Sequence, residues 1–96
     1  MEHNNPFYHL KKGCVEREIS LRHLTVSEAL SLLDKYLDDA FLAGLPTVRI
    51  IHGRHGGTLR REVRKFLDQH PHVKSWRPAD IFEGGLGVTV VYLYEI

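Results

Sequence analysis

Two short segments hold the residue types from which phosphate chemistry could be assembled. Arg22 and His23 follow one apolar stretch, and His52-Gly53-Arg54-His55-Gly56-Gly57 follows another. Guanidinium groups grip phosphate oxygens through paired hydrogen bonds. Imidazoles titrate near neutral pH and can carry a proton to or from a reacting oxygen. Successive glycines allow a tight turn and close backbone approach, and where they open a helix its unpaired N–H groups and dipole favour an anion. The turn has neither the G-K-[ST] of a P-loop nor a G-x-G-x-x-G dinucleotide pattern. It suits a simpler cradle, in which Gly53, Arg54, His55, Gly56, Gly57, Arg60 and Arg61 surround a phosphate, with His23 beside them. The alternative, that the glycines serve only a strand-to-helix turn, stays open at this point.

The elements that must position these residues follow from the pattern of apolar side chains. Residues 15–22 suit a first strand, with Ile19 and Leu21 on its core face. Thr25 and Glu28 form a capping box that opens a helix. Ala29, Leu30, Leu33, Leu37, Ala40 and Phe41 make its inward stripe to about Ala43, before Gly44 and Pro46 stop it. Thr47–Ile51 is β-branched and apolar, a second, buried strand. After the glycine turn comes a second helix with Leu59, Val63, Phe66 and Leu67 inward, ending at His70 before Pro71. Val73–Arg77 reads as a third strand, PADIFEGGLG as a loop, and Val88–Tyr94 as the last strand. Trp76, Tyr92 and Tyr94 alternate with Val and Leu and are expected to pack on the sheet. A strand–helix–strand unit normally makes a right-handed crossover with parallel strands. That puts Arg22-His23 and the glycine turn on one sheet edge, where ligands of open α/β sheets sit.

Composition narrows the class. The 96 residues make one small domain, with 13 Lys plus Arg against 12 Asp plus Glu and a net charge of +1. A strongly basic histone-like protein and an acidic tail are excluded. The charge is segregated, however. Residues 26–45 carry −3, residues 46–77 carry +6 and residues 78–96 carry −3, a field that attracts polyanions despite near neutrality. The one cysteine, Cys14, allows neither an internal disulfide nor a cysteine-based zinc framework. His52, His55, His70 and His72 make a poor metal set, because a glycine turn does not fix ligand geometry. No apolar run suits a membrane span, and residues 1–10 lack a signal peptide's apolar centre. Residues 1–14 are expected to be a flexible tail or linker, and residues 15–96 the domain, soluble and cytoplasmic.

The residues Ile19–Pro78 followed by Glu83–Leu93 resemble a small MutS-related (Smr) domain, most closely the kind found at the C-terminus of a bacterial MutS paralogue linked to recombination suppression and ribosome rescue. Three separated signatures carry the likeness, in order: the end of the first strand, the H-G-x-G-x-G-x-L-R turn and a late G-G-x-G-x-T-x-V stretch. The resemblance implies an α/β two-layer sandwich, βαβαββ, with a four-stranded mixed sheet and two helices, like the C-terminal domain of the third bacterial initiation factor. It also implies binding to DNA or RNA and, in many members, endonuclease activity.

Position by position, His52, Gly53, Gly57, Leu59 and Arg60 match the turn, and Gly84, Gly85, Gly87 and Thr89 the late stretch. His55 replaces a usual glycine and Gly56 a common threonine. At the first signature Arg22 matches, Ser20 stands where the family carries an aspartate linked to cleavage, and His23 replaces a glycine. The expected catalytic set is therefore Arg22, His52 and Ser20's position. Two-metal hydrolysis needs clustered carboxylates, and only Glu18 and Glu62 lie near. No cofactor is called for unless the domain hydrolyses, in which case a divalent metal enters. A metal-free route on RNA would use His52 and His23 as base and acid, with Arg22 or Arg54 on the phosphate. The competing reading is a non-catalytic module that docks on a ribosome, on a protein, or on the rest of a larger MutS-like protein, using Ile81 and Phe82.

Overall fold

A computed structural model describes residues 15–96. The expected tail over residues 1–14, Cys14 included, lies outside the described residues. In chain order the elements are β1 (Glu18–Ser20), α1 (Val26–Leu42), β2 (Thr47–Ile51), α2 (Thr58–Gln69), β3 (Val73–Pro78) and β4 (Val88–Leu93). The sheet runs β1-β2-β4-β3. β1 lies parallel to β2 with α1 crossing between them, and β4 is antiparallel to both β2 and β3. The expected four-stranded mixed sheet with two helices is what forms.

Strand pairing decides which residues share a face. Ile19 stands beside Ile50 and Val48 beside Val91. These side chains, with Leu21 and Leu93, pack against Ala29, Leu32, Leu33, Leu37 and Ala40 of α1 and Val63 and Leu67 of α2. α1 begins at the expected capping box: Thr25 Oγ1 accepts from the Glu28 N–H at 3.1 Å, and the Glu28 carboxylate accepts from the Thr25 N–H at 3.0 Å. It ends at Ala43, where Gly44 turns left-handed at φ +78°.

The buried stripe of α1 is rotated from the expected one. Leu32 and Tyr36 are buried, while Leu30 and Phe41 are only half-buried. Tyr36 sends its hydroxyl to the Glu16 carbonyl and so pins the approach to β1. Phe41 instead stacks on the His72 ring, 3.8 Å between centroids. β1 is also shorter than residues 15–22, because the chain turns at Arg22–His23. In α2 only Val63 and Leu67 are fully buried; Leu59 and Phe66 are half-buried. Trp76 packs as expected, its Nε1–H donating to Asp68 at 2.7 Å and the Arg64 guanidinium lying over its ring.

The other face of the sheet is covered by the segment after β3. Read as a loop from sequence, it contains two one-turn 3₁₀ helices, Ile81–Glu83 and Gly85–Gly87. Arg77 of β3 clamps the Glu83 carboxylate with two bonds of 2.7 and 2.8 Å, and Arg49 of β2 donates to the Glu83 carbonyl at 2.8 Å. The Arg77 bond is the main reason the Glu83 carboxyl is held at about 2. Arg49 also pairs with Glu18 across the β1–β2 junction. Val88 and Val90 are buried on this covered face.

These packing differences are measurable by chemical denaturation. Leu37→Ala is expected to cost about 3 kcal/mol, because a fully buried side chain leaves a cavity. Thr25→Ala is expected to cost about 1 kcal/mol, and Leu42→Ala, at an exposed position, less than about 0.5 kcal/mol.

Candidate nucleic-acid interface

The parallel pairing of β1 and β2 brings their carboxyl ends to one edge, as expected. A cavity of about 440 Å³ opens there. Arg22 and His23 line it from the exit of β1, and His52, Gly53, Arg54 and His55 from the exit of β2. Ile51, Leu59 and Val88 give it an apolar floor, and Gly84 and Gly87 close the remaining side. Among the described residues no carboxylate lines this wall.

His52 is the most enclosed of these groups, only 5% exposed. Its Nδ1 lies 3.1 Å from the Gly53 carbonyl, an acceptor, so Nδ1 carries the proton. Its Nε2 then accepts from the Thr89 hydroxyl at 2.9 Å. Thr89, fully buried, in turn accepts from the Arg64 Nε–H at 3.0 Å. Burial pushes the His52 pKa below the usual histidine value, with Arg64 and Arg60 adding to the effect and the Gly53 carbonyl opposing it. His52 is thus a neutral ring, and both nitrogens that a proton-transfer role would use are engaged within the chain.

Gly87 is needed for close approach and Gly57 for its backbone conformation. A Cβ on Gly87 would come within 3.0 Å of Arg54 Cγ and 3.4 Å of the Gly53 backbone. The Gly87 carbonyl accepts from the N–H groups of both His52 and Gly53 at 3.0 Å, sewing the turn to the late loop. Gly57, left-handed at φ +80°, is the N-cap of α2, and the Arg60 guanidinium folds back over it. Among the described residues no side chain caps this helix, and no acidic residue lies in its first turn. Among the described residues no acceptor takes the N–H of Arg54, His55 or Gly56.

His23 has φ +70°, the one non-glycine residue with positive φ among those described. The backbone at this position therefore favours glycine, and His23 bears a strain of about 1 kcal/mol to put an imidazole on the cavity wall. His55, the other position where the resemblance leads one to expect glycine, has no left-handed backbone.

The remaining expected residues fall elsewhere. Gly57, Arg60 and Arg61 line a second, shallow groove along α2, together with Arg64, Lys65 and Asp68. Gly56 is exposed and borders neither cavity nor groove. Ser20 is exposed on the strand face opposite Ile19; its Oγ accepts from the Arg22 N–H at 3.4 Å, and it is absent from the cavity wall. Sequence reasoning missed the link from Arg64 through Thr89 to His52. Its available signals were the Arg60–Arg64 spacing and the Thr89 match. Burial and then the nearby Arg60 push the Arg64 pKa below the usual arginine value.

A separate polar cluster occupies the far end of α2. His70 Nε2 meets Asp34 at 3.0 Å and Asp38 at 3.6 Å. The His70 Nδ1 accepts from the His72 N–H at 3.2 Å, which places the ring proton on Nε2, facing the carboxylates. The group is arranged as a hydrogen-bonded pair, without a free nitrogen lone pair for a metal.

The Smr domain family model matches residues 19–94, and the chain belongs to that family. It is 62% identical over 79 residues to the endonuclease MutS2 of Thermomicrobium roseum, covering 82% of this chain and 10% of that protein. It is 49% identical over 86 residues to the endonuclease MutS2 of Caldicellulosiruptor bescii, covering 90% and 11%. The chain thus spans about a tenth of the length of these relatives. The crystal structure of the Smr domain of Thermus thermophilus MutS2 superposes with a TM-score of 0.79 at 44% identity, covering 82% of this chain and 99% of that one. YdaL, a stand-alone small MutS-related protein from Escherichia coli, gives 0.77 at 25% identity, covering 99% and 78%. No helix among the described residues is long and apolar enough to cross a membrane.

The lowered His52 pKa has a definite sign in stability. The unfolded chain binds a proton there more readily than the folded one, so His52's contribution is complete above the ordinary histidine value of about 6.5 and falls below it. Wild type is expected to be more stable than His52→Gln at neutral pH. The gap should narrow between about pH 7 and pH 5 in paired denaturation curves. His23→Gly, which relieves the left-handed strain, should leave stability unchanged or raise it.

Proposed function

We propose that this Smr domain binds the phosphate backbone of DNA or RNA at the edge formed by the carboxyl ends of β1 and β2. One observation carries this reading: Arg22, His23, Arg54 and His55 share a cavity wall on which, among the described residues, no carboxylate lies. The groove of Arg60, Arg61, Arg64 and Lys65 extends the positive surface along α2. Phosphates spaced along a strand match such a two-part track, and released counterions would drive the association. His52 supports the site indirectly, by holding the turn in place. The names of the MutS2 relatives, and the tenth of their length that this chain spans, favour a nucleic-acid-gripping module of a larger MutS-like protein. Ribosomal RNA would present the same phosphate chemistry.

Cleavage is a second reading, favoured by one observation. His23 and His55 lie on the cavity wall, and among the described residues neither ring is tied up in a side-chain hydrogen bond. A divalent metal does not fit the wall, since none of the described residues that line it is a carboxylate of the kind that holds such ions. A metal-free reaction on RNA fits better. One imidazole takes the proton of a 2′-hydroxyl as its oxygen attacks phosphorus. The other protonates the departing 5′-oxygen, and Arg22 and Arg54 neutralise the phosphoryl oxygens. The products are a 2′,3′-cyclic phosphate and a 5′-hydroxyl.

Binding is tested by fluorescence anisotropy across a salt series. The Arg22→Ala, Arg54→Ala double variant is expected to lose about tenfold or more in affinity. It should also flatten the dependence of log K on log salt by about one unit per arginine. Unchanged affinity and slope would remove the site assignment. For cleavage, end-labelled RNA should be cut in the presence of EDTA, and His23→Ala or His55→Ala should abolish the cut; intact RNA after incubation with wild type would leave binding alone.

A further inference from the structure

Beside the cavity stands a feature that phosphate binding does not use. Phe82 is 95% exposed, Ile81 80% and Leu86 64%, all on the segment that joins β3 to β4. Exposed apolar side chains on a slack loop would fold down onto the sheet. Here the backbone holds them out. Asp80 caps the turn, accepting from the Phe82 N–H at 2.9 Å, and the Glu83 carboxylate accepts from the Asp80 N–H at 3.0 Å. The Asp80 carbonyl accepts from both Glu83 and Gly85 at 2.9 Å. Arg77 and Arg49 grip Glu83 from the sheet beneath. The phenyl ring of Phe82 is therefore presented on a braced platform.

Its position relative to the cavity selects the occupant. Gly84, two residues on, is part of the cavity wall, so Phe82 lies within about 7 Å of it along the backbone. Charge separates the two sides. The turn and α2 offer Arg54, Arg60, Arg61, Arg64 and Lys65, whereas the late segment carries Asp80 and Glu83 and has no Lys or Arg between Pro78 and Val88. Arg77 is committed to Glu83 and Asp80 remains acidic, so that side offers a second phosphate backbone no cation of its own, whereas an uncharged base face suits it. Aromatic rings stack on any base, and neighbouring apolar groups exclude water from the stack.

We propose that Phe82, flanked by Ile81 and Leu86, is a stacking platform for an unpaired base whose own phosphate sits in the Arg22–Arg54 cavity. The domain thereby takes hold of single-stranded segments in preference to closed duplex. The inference rests on the nucleic-acid reading of the cavity and names the class of strand that it accepts.

The test uses the 96-residue chain and short strands carrying a fluorescent adenine analogue, as single-stranded DNA, single-stranded RNA and the corresponding duplexes. Wild type is expected to quench the analogue in single strands and to bind them more tightly than duplex. Phe82→Ala should abolish the quenching and weaken single-strand binding at least about fivefold, with the salt dependence unchanged. Phe82→Trp should restore both, and Phe82→Leu should restore neither. Stronger quenching in one sugar type would assign DNA or RNA. Wild-type binding that depends on Arg22 and Arg54 but is untouched by Phe82→Ala would overturn the platform alone. Full rescue by leucine, or a dimer in sedimentation that Phe82→Ala dissolves, would reassign the patch to protein contact. Absence of binding to every strand would overturn this inference together with the reading of the cavity.

Discussion

The hydroxyl of Thr89 is the point on which the rest of the site depends. It lies in the central strand β4, fully buried, and joins three separate elements: it accepts from Arg64 of α2 and donates to His52 at the end of β2. A buried hydroxyl has one hydrogen to give, so the direction of each bond follows from its neighbours. Arg64 cannot accept, and His52 must therefore be the acceptor. That choice fixes the histidine tautomer, which fixes the bond to the Gly53 carbonyl, which holds the turn that presents Arg54 and His55. A methyl group in place of this hydroxyl would leave a buried imidazole nitrogen and a guanidinium without partners.

The positive middle third of the chain turns out to serve two tasks. Arg49 and Arg77 belong to the sheet face that the late segment covers, and their guanidinium groups are committed to Glu18 and Glu83. Arg54, Arg60, Arg61, Arg64 and Lys65 lie on the turn and along α2. Acidic neighbours thus neutralise one set, while the other lines the cavity and the groove, with Arg64 anchored to Thr89. Net charge near zero and a strongly positive edge coexist because the two kinds of arginine are sorted by strand and helix.

Much of this was legible in the order of the residues. The capping box at Thr25, the β-branched run at Thr47–Ile51 and the glycine turn are local signals, and each stands where the pattern placed it. The parallel crossover followed from topology rules, and with it the edge that gathers Arg22, His23 and the turn. Contacts between distant segments were less accessible. Leu32 and Tyr36 entered the core because a helix on a sheet buries a broader face than a periodic stripe suggests. His52 read as a free imidazole because the residue that occupies it lies 37 positions away. Arg60 and Arg61 read as cradle residues from proximity in sequence, yet their helix face directs them into a neighbouring groove. Ser20 points off the face opposite Ile19 by the alternation of a strand, and the chain leaves that register at the Arg22–His23 turn, so Arg22 reaches the cavity wall and Ser20 does not.

The strand order has a consequence for how the domain comes into being. β4 is the last of the sheet's four strands in chain order, yet it lies between β2 and β3. Until residues 88–93 arrive, β1 with β2 and the isolated β3 are two pieces with unpaired edges, and Thr89 has not yet met its partners. The binding edge and the completed sheet are therefore made in the same event. A chain lacking β4 has the arginines but not the Gly87 and Thr89 contacts that anchor the turn presenting them, so the positive edge and the closed sheet depend on the same strand.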